Sequence, residues 1–154
     1  MNRYVTKPED LETTYAATRA GFLEIALRKN KEALPYIDEA KAVKVIADSH
    51  AYPSDLITDT RIKKALVEAA GISTKANNYL QKEDVEKIVL EFIKTYLEPA
   101  GANFAEELVY RFLLTKGDAL GGRMRNIAGA IANEKLTRFI AAQLRMQSIP
   151  HHFL

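Results

Sequence analysis

Three short segments carry side chains that could act on an anion or a scissile bond. The first is Gly117-Asp118-Ala119-Leu120-Gly121-Gly122-Arg123-Met124-Arg125-Asn126-Ile127-Ala128-Gly129. Two glycines directly ahead of a helix let backbone amides approach an anion, the helix N-terminus adds about half a positive charge, and Arg123 and Arg125 supply charge-assisted donors. A phosphate fits such a place. A plain turn fits it as well, with Gly121 and Gly122 reversing the chain and Gly129 admitting a close helix. The segment is neither a P-loop, since no Gly-Lys-Ser/Thr follows, nor a dinucleotide fingerprint, since no strand precedes it.

The second segment is Gly71-Ile72-Ser73-Thr74-Lys75-Ala76-Asn77-Asn78. A helix start offering Ser73, Thr74 and Lys75 can enter a groove and donate hydrogen bonds to base edges or phosphates, and it can equally be a capped helix with one exposed lysine. The third is Glu39-Ala40-Lys41. Divalent-metal nucleases place an Asp and a Glu-x-Lys on one scissile phosphate, because Mg²⁺ takes oxygen ligands and the Lys orients the attacking water. Here the triplet falls inside a predicted helix, where residues two apart point about 200° away from each other, so it is a decoy.

Other chemistries lack their residues. Cys is absent and His is limited to His50, His151 and His152, which leaves little for a zinc site or a Cys or His nucleophile. There is no Gly-x-Ser-x-Gly elbow and no His-Glu-x-x-His, and His151-His152 reads as a surface pair. Read alone, the chain presents no catalytic constellation and no metal site.

The elements that position these segments read as helices almost throughout. Val85, Ile88, Val89, Phe92, Ile93, Tyr96 and Leu97 recur at steps of three and four from Lys82 onward, with Glu83, Asp84 and Glu86 early and Pro99 and Gly101 closing. Further helices are predicted over Leu11 to Lys29, Tyr36 to Ala51 with Pro35 in its first turn, and Ile62 to Ala69 capped by Asp59 and stopped by Gly71. Three more run from Ser73 to Leu80, from Asn103 to Gly117 with an Asn103/Glu106 capping box, and from Arg123 to Gln147. No alternating β-branched run appears, so the expectation is an all-α, irregular bundle of about seven helices in a single domain, 1–154. The final Ser148 to Leu154 reads as the start of a strand, which points to truncation ahead of a further domain.

With 47% hydrophobic and 27% charged residues among 154, the composition is that of an ordinary soluble domain. Met1 to Asp10 carries charges and Pro8 where a signal peptide would be apolar, no apolar run reaches the length of a spanning helix, and a cytoplasmic protein away from membranes is expected. The net charge of +2 conceals an asymmetry: residues 1–110 hold 15 Lys and Arg against 18 Asp and Glu, and residues 111–154 hold 7 against 2. The basic part attracts an anionic partner such as nucleic acid, or is a solvated helix face.

Many short stretches, in one order, resemble a known family. Asp10-Leu11, Thr13-Thr14-Tyr15, Arg19-Ala20-Gly21-Phe22, Lys29-Asn30-Lys31, Pro35-Tyr36-Ile37, Gly71-Ile72-Ser73 and Leu97-Glu98-Pro99-Ala100-Gly101 look like the N-terminal half of the AvaI/BsoBI type II restriction endonucleases. Leu120-Gly121-Gly122, Met124-Arg125-Asn126-Ile127-Ala128-Gly129-Ala130 and Lys135-Leu136-Thr137-Arg138 extend the resemblance over residues 10 to 150. It implies a homodimeric, Mg²⁺-dependent nuclease acting on double-stranded DNA at C-Y-C-G-R-G, with a helical N-terminal portion that helps enclose the duplex. The family's catalytic Asp and Glu-x-Lys belong to a C-terminal portion that has no counterpart here, so this chain alone is expected to be inactive and to bind no cofactor. A missing catalytic half or complementary chain is the implied partner. The resemblance places Lys75 where the family has a base-contacting lysine. For Gly121, Gly122, Arg123, Arg125 and Asn126 it leaves packing, phosphate contact and support of the catalytic core open, with Arg123 standing where a variable residue is expected; together with Ser73 these are the further DNA-binding candidates. The competing reading is a non-enzymatic helical interaction module or the remnant of a nuclease gene.

Overall fold

The computed structural model describes residues 14–146. These are helices and turns with no strand among them, so the fold is all-α. The strand expected from Ser148 lies outside the described residues.

Helix α1 (Tyr15–Asp48) opens with Thr14 Oγ1 accepting from the Ala17 amide at 3.1 Å, and buries Ala40, Val43 and Ala47 at helical spacing. A 3₁₀ turn (Pro53–Thr58) drives Leu56 into the core, and α2 (Lys63–Ala69) ends at Gly71, whose φ of +95° is the left-handed stop that a side chain would resist. Four residues form α3 (Thr74–Asn77). Helix α4 (Lys82–Phe92) starts where the Gln81 amide donates to Asp84 Oδ2 at 3.0 Å. It widens into a π-helical turn (Ile93–Leu97) and then a 3₁₀ turn (Glu98–Asn103) in which Gly101 has φ +60°. Helix α5 (Phe104–Met146) follows.

Among the described residues five α-helices replace the expected seven, because two predicted breaks are continuous helix. Pro35 lies inside α1. An interior proline removes one ladder bond and costs about 3 kcal/mol, but no glycine stop precedes it and good helix formers flank it. Gly117, Gly121 and Gly122 likewise lie inside α5, and the glycines with positive φ are Gly71 and Gly101. A third local signal is also reassigned: Asp59 does not cap α2, whose N-cap is Ile62, but accepts from the Arg61 amide at 3.0 Å.

The chain divides into two compact units, Glu32–Leu120 and a second made of Met1–Lys31 with Gly121–Leu154. The boundaries fall close to Pro35 and at Gly121, the two places where the local sequence reads as a break. The first unit holds a contiguous core from Ala40 to Phe112, in which Leu56, Ile62, Leu97, Leu108 and Phe112 are fully buried. Each such side chain contributes about 1.5–3 kcal/mol. Among the described residues of the second unit, Met124 is the hydrophobic side chain that is buried. No helix among the described residues is long and apolar enough to cross a membrane.

Candidate nucleic-acid interface

Within the first unit, the sharp stop at Gly71 turns the chain so that α3 follows α2 closely, with buried Ile72 as the anchor between them. Ser73 is the N-cap of α3. Its Oγ accepts from the Ala76 amide at 3.1 Å, which leaves the hydroxyl proton available to an outside acceptor. Ser73 and Lys75 are both exposed.

A cleft of about 720 Å³ opens beside this helix, lined by Lys63, Lys64, Ser73, Thr74, Asn77 and Lys82 among others. Its walls also include Glu68 and Glu86, but Glu68 is matched by Lys116 at 2.6 Å and Glu86 stands 3.9 Å from Lys82. Lys63 and Lys64 have no carboxylate partner among the described residues, so they supply the cleft's uncompensated positive charge, while Lys75 is exposed on α3 outside its lining. Such a cleft, with ammonium groups beside hydroxyl and amide donors, suits a polyanionic backbone. Sequence reasoning found Ser73 and Lys75 but missed Lys63, Lys64 and Lys82. Lys63 and Lys64 read as the polar face of a helix, and only the turn at Gly71 brings that face beside Ser73.

The glycine-rich segment is placed differently from its sequence reading. Gly121 and Gly122 are interior to α5, so no helix begins at Arg123 and their amides are not the free donors of a helix N-terminus. One turn on, the Arg125 guanidinium folds back over them: a β-carbon on Gly121 or Gly122 would stand 3.6 Å from Nη1 or 3.7 Å from Nη2. Arg123, Arg125 and Asn126 are exposed on the second unit. They offer side-chain donors in place of the anticipated backbone cradle.

Two charged clusters escaped the sequence reading because their members meet only in the fold. Asp59 Oδ2 lies 2.8 Å from His50 Nε2 and 2.7 Å from Arg61 Nη2, and its Oδ1 accepts from Arg61 Nε at 3.0 Å. The Arg61 guanidinium first, and His50 second, hold the Asp59 carboxyl well below the usual carboxylate range. Lys116 stands between Glu68, at 2.6 Å, and Glu39, at 3.7 Å. Burial pulls the Lys116 ammonium down, but the Glu68 hydrogen bond and the charges of Glu68 and Glu39 outweigh it and leave the group raised. Glu39 is thus drawn to Lys116 while Lys41 is exposed, and the Glu39-x-Lys41 triplet forms no paired site. Among the described residues, no three His, Asp or Glu side chains gather as metal ligands.

The whole chain, residues 1–154, matches the family model described as Restriction endonuclease BsobI. It is 48% identical over 154 residues to the type II restriction enzyme BsoBI of Geobacillus stearothermophilus, covering 100% of this chain and 48% of that protein. It is 41% identical over 151 residues to the type II restriction enzyme AvaI of Nostoc sp. and to the AvaI of Anabaena variabilis, covering 98% of this chain and 48% of each of those proteins. The chain spans about half the length of the curated relatives it matches.

Proposed function

The chain belongs to the restriction endonuclease BsobI family, and from that premise we propose that it is the helical, DNA-enclosing part of a type II restriction endonuclease. The observation that carries this reading is the match along all 154 residues to enzymes of which it covers 48%. Its substrate is double-stranded DNA, with C-Y-C-G-R-G as the family's site, and it works in the cytoplasm as part of a dimeric enzyme. The Mg²⁺ of the complete enzyme finds no ligand set among the described residues. Hydrolysis is assigned to a companion half, because the resemblance puts the family's Asp and Glu-x-Lys in the part of the relatives' length that this chain does not match.

Two contact sets support duplex binding. Lys75 and Ser73, with Lys63 and Lys64 along the cleft, meet phosphates or base edges from the first unit. Arg123, Arg125 and Asn126 are the candidates in the second, where the Arg125 guanidinium lies over Gly121 and Gly122. The competing reading, a protein-interaction module, draws on exposed Tyr15, Phe22 and Leu27.

Anisotropy with a fluorescent duplex separates the two readings. Enclosure of DNA predicts binding that weakens steeply with salt and is tighter on a duplex containing C-Y-C-G-R-G than on a scrambled one. No binding at low salt, or binding indifferent to salt, overturns it in favour of the interaction module.

A further inference from the structure

The second unit carries a surface that neither the cleft nor DNA contact explains. At about 100° per residue, Tyr15, Phe22, Leu23 and Leu27 fall within roughly 140° of the α1 circumference. They are 86%, 73%, 53% and 73% exposed. Tyr15, Arg19, Phe22 and Leu23 line a shallow depression of about 420 Å³. On α5 of the same unit, Leu136 and Ile140, four residues apart, are also exposed. Among its described residues Met124 is the one buried hydrophobic, so their aromatic and aliphatic side chains meet little core.

Charge narrows what can cover the stripe. The described residues of this unit, 14–31 and 121–146, hold nine Lys and Arg against Glu24 and Glu134, a net +7, whereas 32–120 hold 11 against 15, a net −4. Seating a second copy stripe to stripe would set +7 against +7. Duplex DNA would meet the positive charge of this unit but leave the rings of Tyr15 and Phe22 wet. Arg19 stands inside the stripe with no carboxylate partner among the described residues. The occupant therefore offers an apolar strip with a carboxylate in reach of Arg19. The curated relatives are about twice as long, since this chain covers 48% of each, so in them both halves are present in one polypeptide.

We propose that the Tyr15, Phe22, Leu23 and Leu27 stripe is the seat of the half of the family's chain that the present sequence does not cover, with Arg19 paired to a carboxylate of that half. The inference rests on the family reading above and adds to it the surface through which the two halves meet.

The chain has no cysteine, so a single environment-sensitive dye can be placed by Phe22→Cys, with Val45→Cys, 72% exposed in the other unit, as the control. The 154-residue chain is co-expressed with the remaining half of the Geobacillus stearothermophilus relative and the products are separated by size. The expected result is a one-to-one complex in which dye at position 22 shifts to the blue and dye at 45 does not. Phe22→Asp with Leu27→Asp lowers recovery of the complex about tenfold or more, because two apolar anchors are lost. Arg19→Glu lowers it too, and circular dichroism shows these variants to be as helical as the parent. An unaltered complex with the stripe variants, no complex at all, or self-association of the chain that those variants abolish each overturns the proposal. The family reading fails separately: loss of the complex with salt-sensitive DNA binding retained removes the docking surface alone.

Discussion

Lys116 Nζ lies 2.6 Å from Glu68 Oε2 and ties α5 to α2 where the two side chains are only 14% and 8% exposed. Thr115 Oγ1 donates to the Glu68 carbonyl at 2.8 Å beside it, and the ammonium stands 5.4 Å from the centre of the Phe112 ring. Removing one member of a buried pair strands the other charge, which typically costs about 3–5 kcal/mol. Lys116→Ala is accordingly expected to lower the urea midpoint sharply. Lys116→Met combined with Glu68→Gln recovers most of the loss, since neither residue then needs a counter-charge. A double variant as unstable as the single one would show that the cost lies in packing and not in charge.

Acid should weaken the connection between α1 and α2 through Asp59. Its carboxyl is depressed, by Arg61 and then His50, so its contribution is fully present above the unfolded value of about 4 and is lost as pH falls toward the lower folded value. Asp59→Asn is predicted to be less stable than the parent at pH 7, with the gap closing below about pH 4. Thermal melts at pH 7, 4 and 2.5 measure this. A gap that stays constant across the three would place the effect of Asn in geometry.

The lysines beside α3 should be separable by salt. Each one that touches a phosphate lowers the slope of log K against log salt by about 0.9 when replaced by alanine. Lys63→Ala, Lys64→Ala and Lys75→Ala are expected to show that reduction in anisotropy titrations. Lys44→Ala is not, because Lys44 is already paired to Asp48 at 2.7 Å on another helix. Equal slopes for all four variants would move the DNA contact away from this cleft.

What could be read in advance depended on the range of the interaction. The α4 stripe was visible because Val89, Phe92, Ile93 and Leu97, spaced by three and four, are the residues that enter the core. The stop at Gly71 was visible because a left-handed residue leaves a local signature. Glu68 and Lys116 were not paired in the sequence reading, since they stand 48 positions apart and nothing local marks either. Lys63 and Lys64 join Ser73 in one cleft only after the turn between them is drawn. Pro35 and Gly121-Gly122 misled for the opposite reason: they are local breakers overruled by the helices on both sides. The candidate site was thus half legible, in Ser73 and Lys75 but not in the lysines that charge the cleft around them.

The glycine pair gives the sharpest test of that overruling. In a helix interior, Gly→Ala removes unfolded-state freedom and stabilises by about 0.5–1 kcal/mol where the new methyl fits. At Gly121 and Gly122 it would meet Arg125 at 3.6 and 3.7 Å, an ordinary contact with the movable end of a side chain. Gly121→Ala and Gly122→Ala should therefore raise the melting temperature and leave helicity unchanged or higher. Gly71→Ala, at φ +95°, should lower the melting temperature, because alanine resists that conformation whatever the space around it. An anion cradle made of the Gly121 and Gly122 amides predicts the reverse at those two positions: no gain in stability, and a loss of DNA affinity as large as that of Arg125→Ala. Melting curves of the three glycine variants, with anisotropy on Gly121→Ala, Gly122→Ala and Arg125→Ala, decide between a continuous α5 and a turn ahead of Arg123. The two arrangements demand opposite backbone conformations of the same residues.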